Sequence, residues 1–315
     1  MAVVTTGFFD GVHIGHRHVL ETVVSCARER GEESVVVTFW PHPRMVLQQD
    51  ARDLRLLSSL EEKKALLAAV GIDRVEVLPF TREFAAMTAA EYLQMLHDKF
   101  GASLVIMGYD NHIGSDRKTA KELAEEDCPS EIASAQCRPL LHTTAAGPSL
   151  MCCHGWHKLP TDTKDSSVHI SSTSVRNALM EGEIELANDM LGYDYSLYGV
   201  VVAGNRLGRT IGFPTANMKL YEPLKMVPAG GVYAVDVRVL GREYHGMCNI
   251  GVRPTVGANN GLTIETNIFD FDEDIYGLDI RIAFRGRIRA EQCFANLDEL
   301  KEQLERDREF CRKSY

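Results

Sequence analysis

Gly7-Phe8-Phe9-Asp10-Gly11-Val12-His13-Ile14-Gly15-His16 is the stretch that decides the fold of the N-terminal half. Before it stands Val3-Val4-Thr5-Thr6, a β-branched run that reads as a buried strand, and after it Val19–Arg30 reads as a helix. Two glycines and two histidines therefore sit at a strand-to-helix turn. Gly7 and Gly11 let backbone approach a ligand closely, and the N-terminus of the following helix favours an anion. His13 and His16 fall about one helical turn apart, so both imidazoles can face one point. That suits the phosphates of a nucleotide, where charge builds up on oxygen as pyrophosphate leaves. Gly-rich turns and His pairs also serve as plain caps and core features, so the reading depends on what surrounds this one.

Working outward, strand and helix patterns alternate. Ser34–Phe39 reads as a second strand, Leu60–Val70 as a helix, Arg74–Leu78 as a third strand, Ala89–Lys99 as a helix and Leu104–Met107 as a fourth strand. This order predicts a parallel sheet with helices on both faces, and such sheets bind ligands beyond the C-terminal ends of their strands. Gly7–His16, Trp40-Pro41-His42-Pro43 and Gly108-Tyr109-Asp110-Asn111 all fall there. His42, between two prolines, has a stiff, extended backbone. Asp110 suits either an Asx turn or a ligand contact. Lys118–Glu126 reads as a helix. Asp127–Ser167 shows no sustained period, although it holds four of the eight cysteines.

Ile170-Ser171-Ser172-Thr173-Ser174-Val175-Arg176 follows. Its hydroxyls are good caps for a helix over Ser174–Met180. Ser171, Ser172 and Thr173 with Arg176 in the first turn offer donors to a phosphate, and an Arg there opposes the helix dipole unless an anion is bound. Glu183–Leu191 reads as a second short helix.

The texture then changes. Gly199–Val202, Gly231–Leu240, Glu243–Ile250, Gly261–Phe269 and Leu278–Arg287 read as strands with patches of period 2, spaced as in an antiparallel barrel. One amphipathic helix, Leu297–Cys311, closes the chain, with Leu297, Leu300, Leu304 and Phe310 on or near one face. The expected division is 1–185 and 186–315.

Between the first two of those strands lies Gly204-Asn205-Arg206-Leu207-Gly208-Arg209-Thr210-Ile211-Gly212-Phe213-Pro214-Thr215-Ala216-Asn217. Gly204, Gly208 and Gly212 make a loop poor in side chains that can cradle phosphate oxygens. It lacks the Gly-Lys-Ser/Thr of a Walker A loop. Thr215 and Asn217 carry neutral oxygens suited to Mg²⁺ shared with ATP phosphates. Glu265, within the strand Leu262–Phe269, is placed to take a proton from a primary alcohol.

Composition narrows the classes. The 315 residues are 45% hydrophobic and 25% charged, as in a globular protein of two domains, and the formal net charge is −10. That balance argues against an extended nucleic-acid surface. No apolar run reaches the roughly 20 residues that span a bilayer, and the N-terminus does not read as a signal peptide. Both point to the cytoplasm, and to free thiols for most of the scattered cysteines.

Gly7–His16 resembles the first signature of the nucleotidyltransferase half of the bacterial bifunctional riboflavin kinase/FAD synthetases, and Ile170–Arg176 closely resembles the second. Gly204–Asn217 is similar, nearly end to end, to the riboflavin kinase signature. Pro228–Ala234, Asn249–Thr255 and Ile264-Glu265-Thr266 before Phe269-Asp270-Phe271-Asp272 resemble later parts of that module. The resemblance implies a Rossmann-like α/β nucleotidyltransferase domain followed by an antiparallel β-barrel kinase domain with a terminal helix. It also implies one more strand within 127–167. Riboflavin, FMN, FAD and ATP are the implied substrates and products, with Mg²⁺. Glu265 is the implied base, with Thr215 and Asn217 on the metal. Gly204, Gly208, Arg209, Gly212 and Pro214 would cover ATP. In the other domain His13, His16 and Arg176 would act on the leaving pyrophosphate. Gly7, Phe8, Asp10, Gly11, Asp110, Ser171, Ser172 and Thr173 would bind nucleotide.

Two other readings use the same motifs. In one the kinase works alone, because Asp127–Ser167 departs from the family's pattern and Asn111-His112-Ile113 from its usual aromatic-rich run. In the other the chain only senses flavin or nucleotide, which leaves a base such as Glu265 without a purpose. A class I aminoacyl-tRNA synthetase shares the His-x-Gly-His turn but needs a Lys-Met-Ser-Lys-Ser loop, which is absent.

Overall fold

A computed structural model describes residues 1–47, 53–108, 111–119, 122–123, 149–153, 158–160, 167–204, 207–253 and 261–314. The chain divides into two compact units, Met1–Ser171 and Ser172–Tyr315.

The first unit is a five-stranded parallel sheet. Its strands are β1 (Ala2–Thr6), β2 (Glu33–Trp40), β3 (Arg74–Pro79), β4 (Ala102–Gly108) and, fifth in the sheet, Ser149–Cys153; their spatial order is β3, β2, β1, β4, Ser149–Cys153. Residues alternate between two cores. Val4, Val35, Val37 and Val105 pack with Leu93, Leu96 and Phe100 of the helix Ala89–Phe100. Val3, Val36, Leu104 and Ile106 pack with Leu20, Val23 and Val24 of α1 (Ile14–Arg30) and Leu67 of the helix Leu60–Val70. Burial of both faces is why these strands read as unbroken apolar runs.

The chain builds outward from β1 to β2 and β3, then crosses to β4 on the other side. The order therefore reverses at β1 and β4, and Gly7 directly follows the C-terminal end of β1. In doubly wound sheets that reversal opens the ligand crevice.

Several local expectations need correction. Lys118–Thr119 is not helical; it pairs as a short strand with His112–Ile113 across a turn containing Gly114 and Arg117, both at positive φ. Thr119 forms a capping arrangement with Glu122, and Glu122–Leu123 is helical; the rest of the expected helix lies outside the described residues. The strand Ser149–Cys153 was not legible from period. Two short helices, Pro43–Leu47 and Arg82–Ala85, were not anticipated.

In the second unit, two helices, Ser172–Glu181 and Ile184–Leu191, pack against a closed barrel, with Asn188 Nδ2 donating to the carbonyl of Phe284 and Ala229 N to that of Leu179. The first helix begins at Ser172 and not at Ser174. Ser172 and Thr173 therefore lie in its first turn, and Arg176 one turn in, which removes the argument from a first-turn Arg.

The barrel has six antiparallel strands. In closing order they are Ser196–Val202, Ala216–Leu220, Gly261–Ile268, Arg242–Arg253, Gly231–Val239 and Asp279–Arg289. Ala216–Leu220 was expected as the end of a loop. It is a strand because its partners close the barrel.

The terminal helix Leu297–Ser314 buries Cys311 and Asp307, while Leu297 and Phe310 are exposed, contrary to the expected face. Cys311 and Leu304 pack on Phe213, Val232 and Phe269. Asp307 meets Arg289 at 2.8 Å. The contacts on this helix explain the shift: half-buried Leu300 and Leu304 and buried Asp307 and Cys311 follow one another at helical spacing.

Candidate functional sites

In the first unit the turn after β1 is built from unusual backbone. Phe9 (φ 50), Gly11 (φ 78) and Val12 (φ 40) lie in the left-handed region. For a β-branched residue such as Val12 that is strained. Packing holds it, since Phe9 and Val12 are buried. Asp10 holds the loop from below. Its carboxylate accepts from Leu57 N at 3.0 Å and from Ser58 N at 3.1 Å, and Ser58 Oγ accepts from Gly11 N at 3.1 Å.

The turn ends on His13, which caps α1: its Nδ1 accepts from His16 N at 3.2 Å. The two imidazoles stack, centres 3.6 Å apart, and Phe9 meets His16 edge-on. The His16 pKa lies well below its ordinary 6.5, first because of burial, then through the charges of His13 and Lys63.

Beside the turn a cavity of about 370 Å³ is lined by Gly7, Phe8 and an aromatic wall of Phe39, Phe80, Phe84 and Tyr92. These rings meet one another at 5.4–5.9 Å. Phe8 also meets the His42 ring edge-on, and His42 Nδ1 accepts from Arg44 N.

Sequence reading missed this wall because its members come from three separated stretches. It also missed Lys63, whose ammonium lies 3.5 Å from the centre of the Phe8 ring. The signal was present: Lys63 stands four residues before buried Leu67, on the apolar side of its helix. Asp110 lies outside the described residues. Ser171 stands just before the helix, and Ser172, Thr173 and Arg176 are in the second unit.

In the second unit the barrel aligns the predicted residues. Asn217 is registered opposite Glu265, and Glu265 opposite Asn249. Side chains directly opposite share a face, so the three form one polar row across three strands. Thr215 Oγ1 donates to Glu265 Oε2 at 3.5 Å, and Asn267 Nδ2 donates to the carbonyl of Pro214 at 2.7 Å.

The glycines of the loop are close-packed where they need to be. A Cβ on Gly204 would fall 2.2 Å from Asn217 Nδ2, and one on Gly208 2.1 Å from the Phe213 carbonyl; Gly212 has φ 84. Thr215 borders two cavities. One, of about 420 Å³, contains Glu265, Asn249, Asn267 and Leu304. The other, of about 410 Å³, contains Arg209, Pro214, Phe271 and Tyr276.

Fold and sites together define a two-module nucleotide-handling protein, one module a Rossmann-like nucleotidyltransferase sheet and the other a kinase-type barrel. Residues 1–143 match the family described as FAD synthetase, and residues 191–315 the family described as riboflavin kinase. Two relatives described as bifunctional riboflavin kinase/FMN adenylyltransferase are similar over nearly the full length. The one from Bacillus subtilis is 35% identical over 98% of this chain and 90% of its own, and the one from Escherichia coli 37% over 97% and 90%. A crystal structure described as a macrolide-efflux protein from Streptococcus pneumoniae is similar at TM-score 0.83 and 31% identity, covering 99% of this chain and 94% of the other. The chain belongs to the bifunctional riboflavin kinase/FMN adenylyltransferase family.

Proposed function

We propose that the chain phosphorylates riboflavin to FMN in residues 186–315 and adenylylates FMN to FAD in residues 1–185. The observation that carries the first step is the Asn217–Glu265–Asn249 row with Thr215 at the junction of two cavities. The cavity bearing Arg209 suits the triphosphate. The cavity bearing Glu265 suits the flavin, whose ribityl hydroxyl then meets a carboxylate. Glu265 takes the 5′-hydroxyl proton as that oxygen attacks the γ-phosphorus of ATP, and ADP leaves.

Thr215 Oγ1 and the Asn217 amide oxygen are hard donors, and Gly204 leaves the space that a Cβ would fill beside Asn217. That donor set fits Mg²⁺, held jointly with phosphate oxygens. When bound, Mg²⁺ neutralises charge on the transferring phosphates. Gly204, Gly208, Arg209, Gly212 and Pro214 shape the phosphate side of the loop.

In the adenylyl transfer, an FMN phosphate oxygen attacks the α-phosphorus of a second ATP and the bond to pyrophosphate breaks. His13 and His16 lie at the start of α1, where developing negative charge is stabilised. Gly7, Phe8 and Gly11 admit the nucleotide, with Asp10 holding their loop. The aromatic cavity suits the isoalloxazine ring. By the family resemblance, Asp110, Ser171, Ser172, Thr173 and Arg176 serve the nucleotide of this reaction.

No helix among the described residues is long and apolar enough to cross a membrane. With the acidic balance of the chain, that supports a cytoplasmic enzyme whose partners are small molecules and not nucleic acid.

Incubation with riboflavin, Mg²⁺ and ATP, with products separated by chromatography, tests the proposal. FAD is the expected product. FMN alone would leave only the kinase, and no turnover would leave a binding protein.

A further inference from the structure

Lys63 is 1% exposed, and its Nζ has no hydrogen-bond partner among the described residues. Its surroundings include the Phe8 ring at 3.5 Å, the carboxylate of Asp10, and His16, whose imidazole feels its charge. Asp10 attracts the ammonium, yet its oxygens accept from Leu57 N, Ser58 N and Ser58 Oγ. Burial brings the Lys63 pKa down to about 8, with Asp10 opposing the shift, so the group is still largely a cation at neutral pH. A buried ammonium without a bonded partner is costly. A methionine of similar length would fill the same space without that cost, so packing does not account for a lysine here.

We propose that Lys63 is a positioning residue for adenylyl transfer: a fixed positive charge set behind the Phe8 ring and the His13–His16 pair that draws the nucleotide's phosphates onto the turn. This rests on the reading of Gly7–His16 as the adenylyl-transfer site. A charge in a dry, low-dielectric setting acts over several ångströms without touching the ligand. After burial and the neighbouring His13, the same charge is a third influence that disfavours a proton on His16. An arriving triphosphate offsets the cation, so the turn binds phosphate and recovers its protons together. Phe8 transmits the arrangement sterically, since one face of its ring is held by Lys63 and the residue lines the aromatic cavity.

The test compares Lys63→Met, Lys63→Arg and His16→Asn in the full chain. Melting temperature and FMN adenylylation kinetics are measured for each, and the His16 imidazole titration, followed by NMR, for the two lysine variants and the unsubstituted chain. Lys63→Met is expected to melt at the same or a higher temperature, to lose about tenfold or more in kcat/KM for ATP, and to titrate His16 at higher pH. Lys63→Arg, which keeps the charge, restores most of the rate. An adenylylation rate in Lys63→Met equal to that of the unsubstituted chain overturns the proposal. So does a loss of rate that accompanies a lower melting temperature with the His16 titration unmoved, because that describes a structural lysine. Should Lys63→Met fail to fold, Lys63→Gln provides the same comparison with a polar head. An undiminished rate in His16→Asn would instead overturn the reading of the turn itself, whatever the lysine variants do.

Discussion

The imidazole of His13 lies nearly flat on that of His16, ring centres 3.6 Å apart and planes 16° from parallel. Two imidazolium ions so placed would repel strongly, and burial already disfavours the charged form of His16.

The folded chain therefore refuses a proton that the unfolded chain accepts below pH 6.5. In that window the unfolded state binds more protons, so stability is complete above the ordinary His value and falls as pH drops below it toward the lower folded value. The melting temperature of the first unit should decline on mild acidification, and His16→Asn should flatten the decline. An identical decline in that variant would place the linked proton elsewhere.

Glu265→Gln keeps the shape of the polar row and removes the base. FMN formation should fall by about 10²–10⁴-fold, while conversion of supplied FMN to FAD continues. His16→Ala should do the reverse, sparing the kinase. Coupled loss of both activities in either variant would contradict separate sites, and chromatography of the two half-reactions reads the outcome.

Asp10 is expected to act through the loop that it supports. Asp10→Ala leaves the buried N–H groups of Leu57 and Ser58 without an acceptor. The loss should be about 3 kcal/mol at one to three per unsatisfied group, with Asp10→Asn milder. Urea unfolding followed by circular dichroism measures it. Adenylylation should fall in step with the loop's integrity; a stable Asp10→Ala that has lost activity would show a direct part for the carboxylate.

Asp307 ties the terminal helix to the barrel through Arg289 at 2.8 Å. Removing one partner of a buried pair strands the other. Asp307→Ala should cost about 3 kcal/mol, the low end of the usual range because Arg289 keeps some contact with solvent. The same helix packs on Phe213 within the glycine loop, so riboflavin phosphorylation should weaken as well. Normal kinase kinetics in a destabilised Asp307→Ala would separate the helix from the site.

Much of this was legible in one dimension. The two-sided burial of β1, β2 and β4 shows as unbroken apolar runs, and the glycine and histidine spacing shows as a turn, because these signals are local. The start of Lys118–Glu126 was misread for the same local reason: Lys118–Thr119 is held as a strand by its pairing with His112–Ile113, which no local pattern shows. The Asn217–Glu265–Asn249 row was out of reach, since residues in three strands become neighbours only through barrel register. The aromatic wall and the buried charge of Lys63 were hidden likewise.

The sequence by itself determined the two modules, the order of their elements and the types of group available for chemistry, because propensity, hydrophobic period and turn residues act between near neighbours along the chain. Only the tertiary structure decided which groups share a pocket, which carboxylate supports a loop and which faces a cavity, and that the ammonium of Lys63 is buried against the Phe8 ring. Those outcomes depend on burial and on contacts between residues far apart in sequence, and no local pattern encodes them.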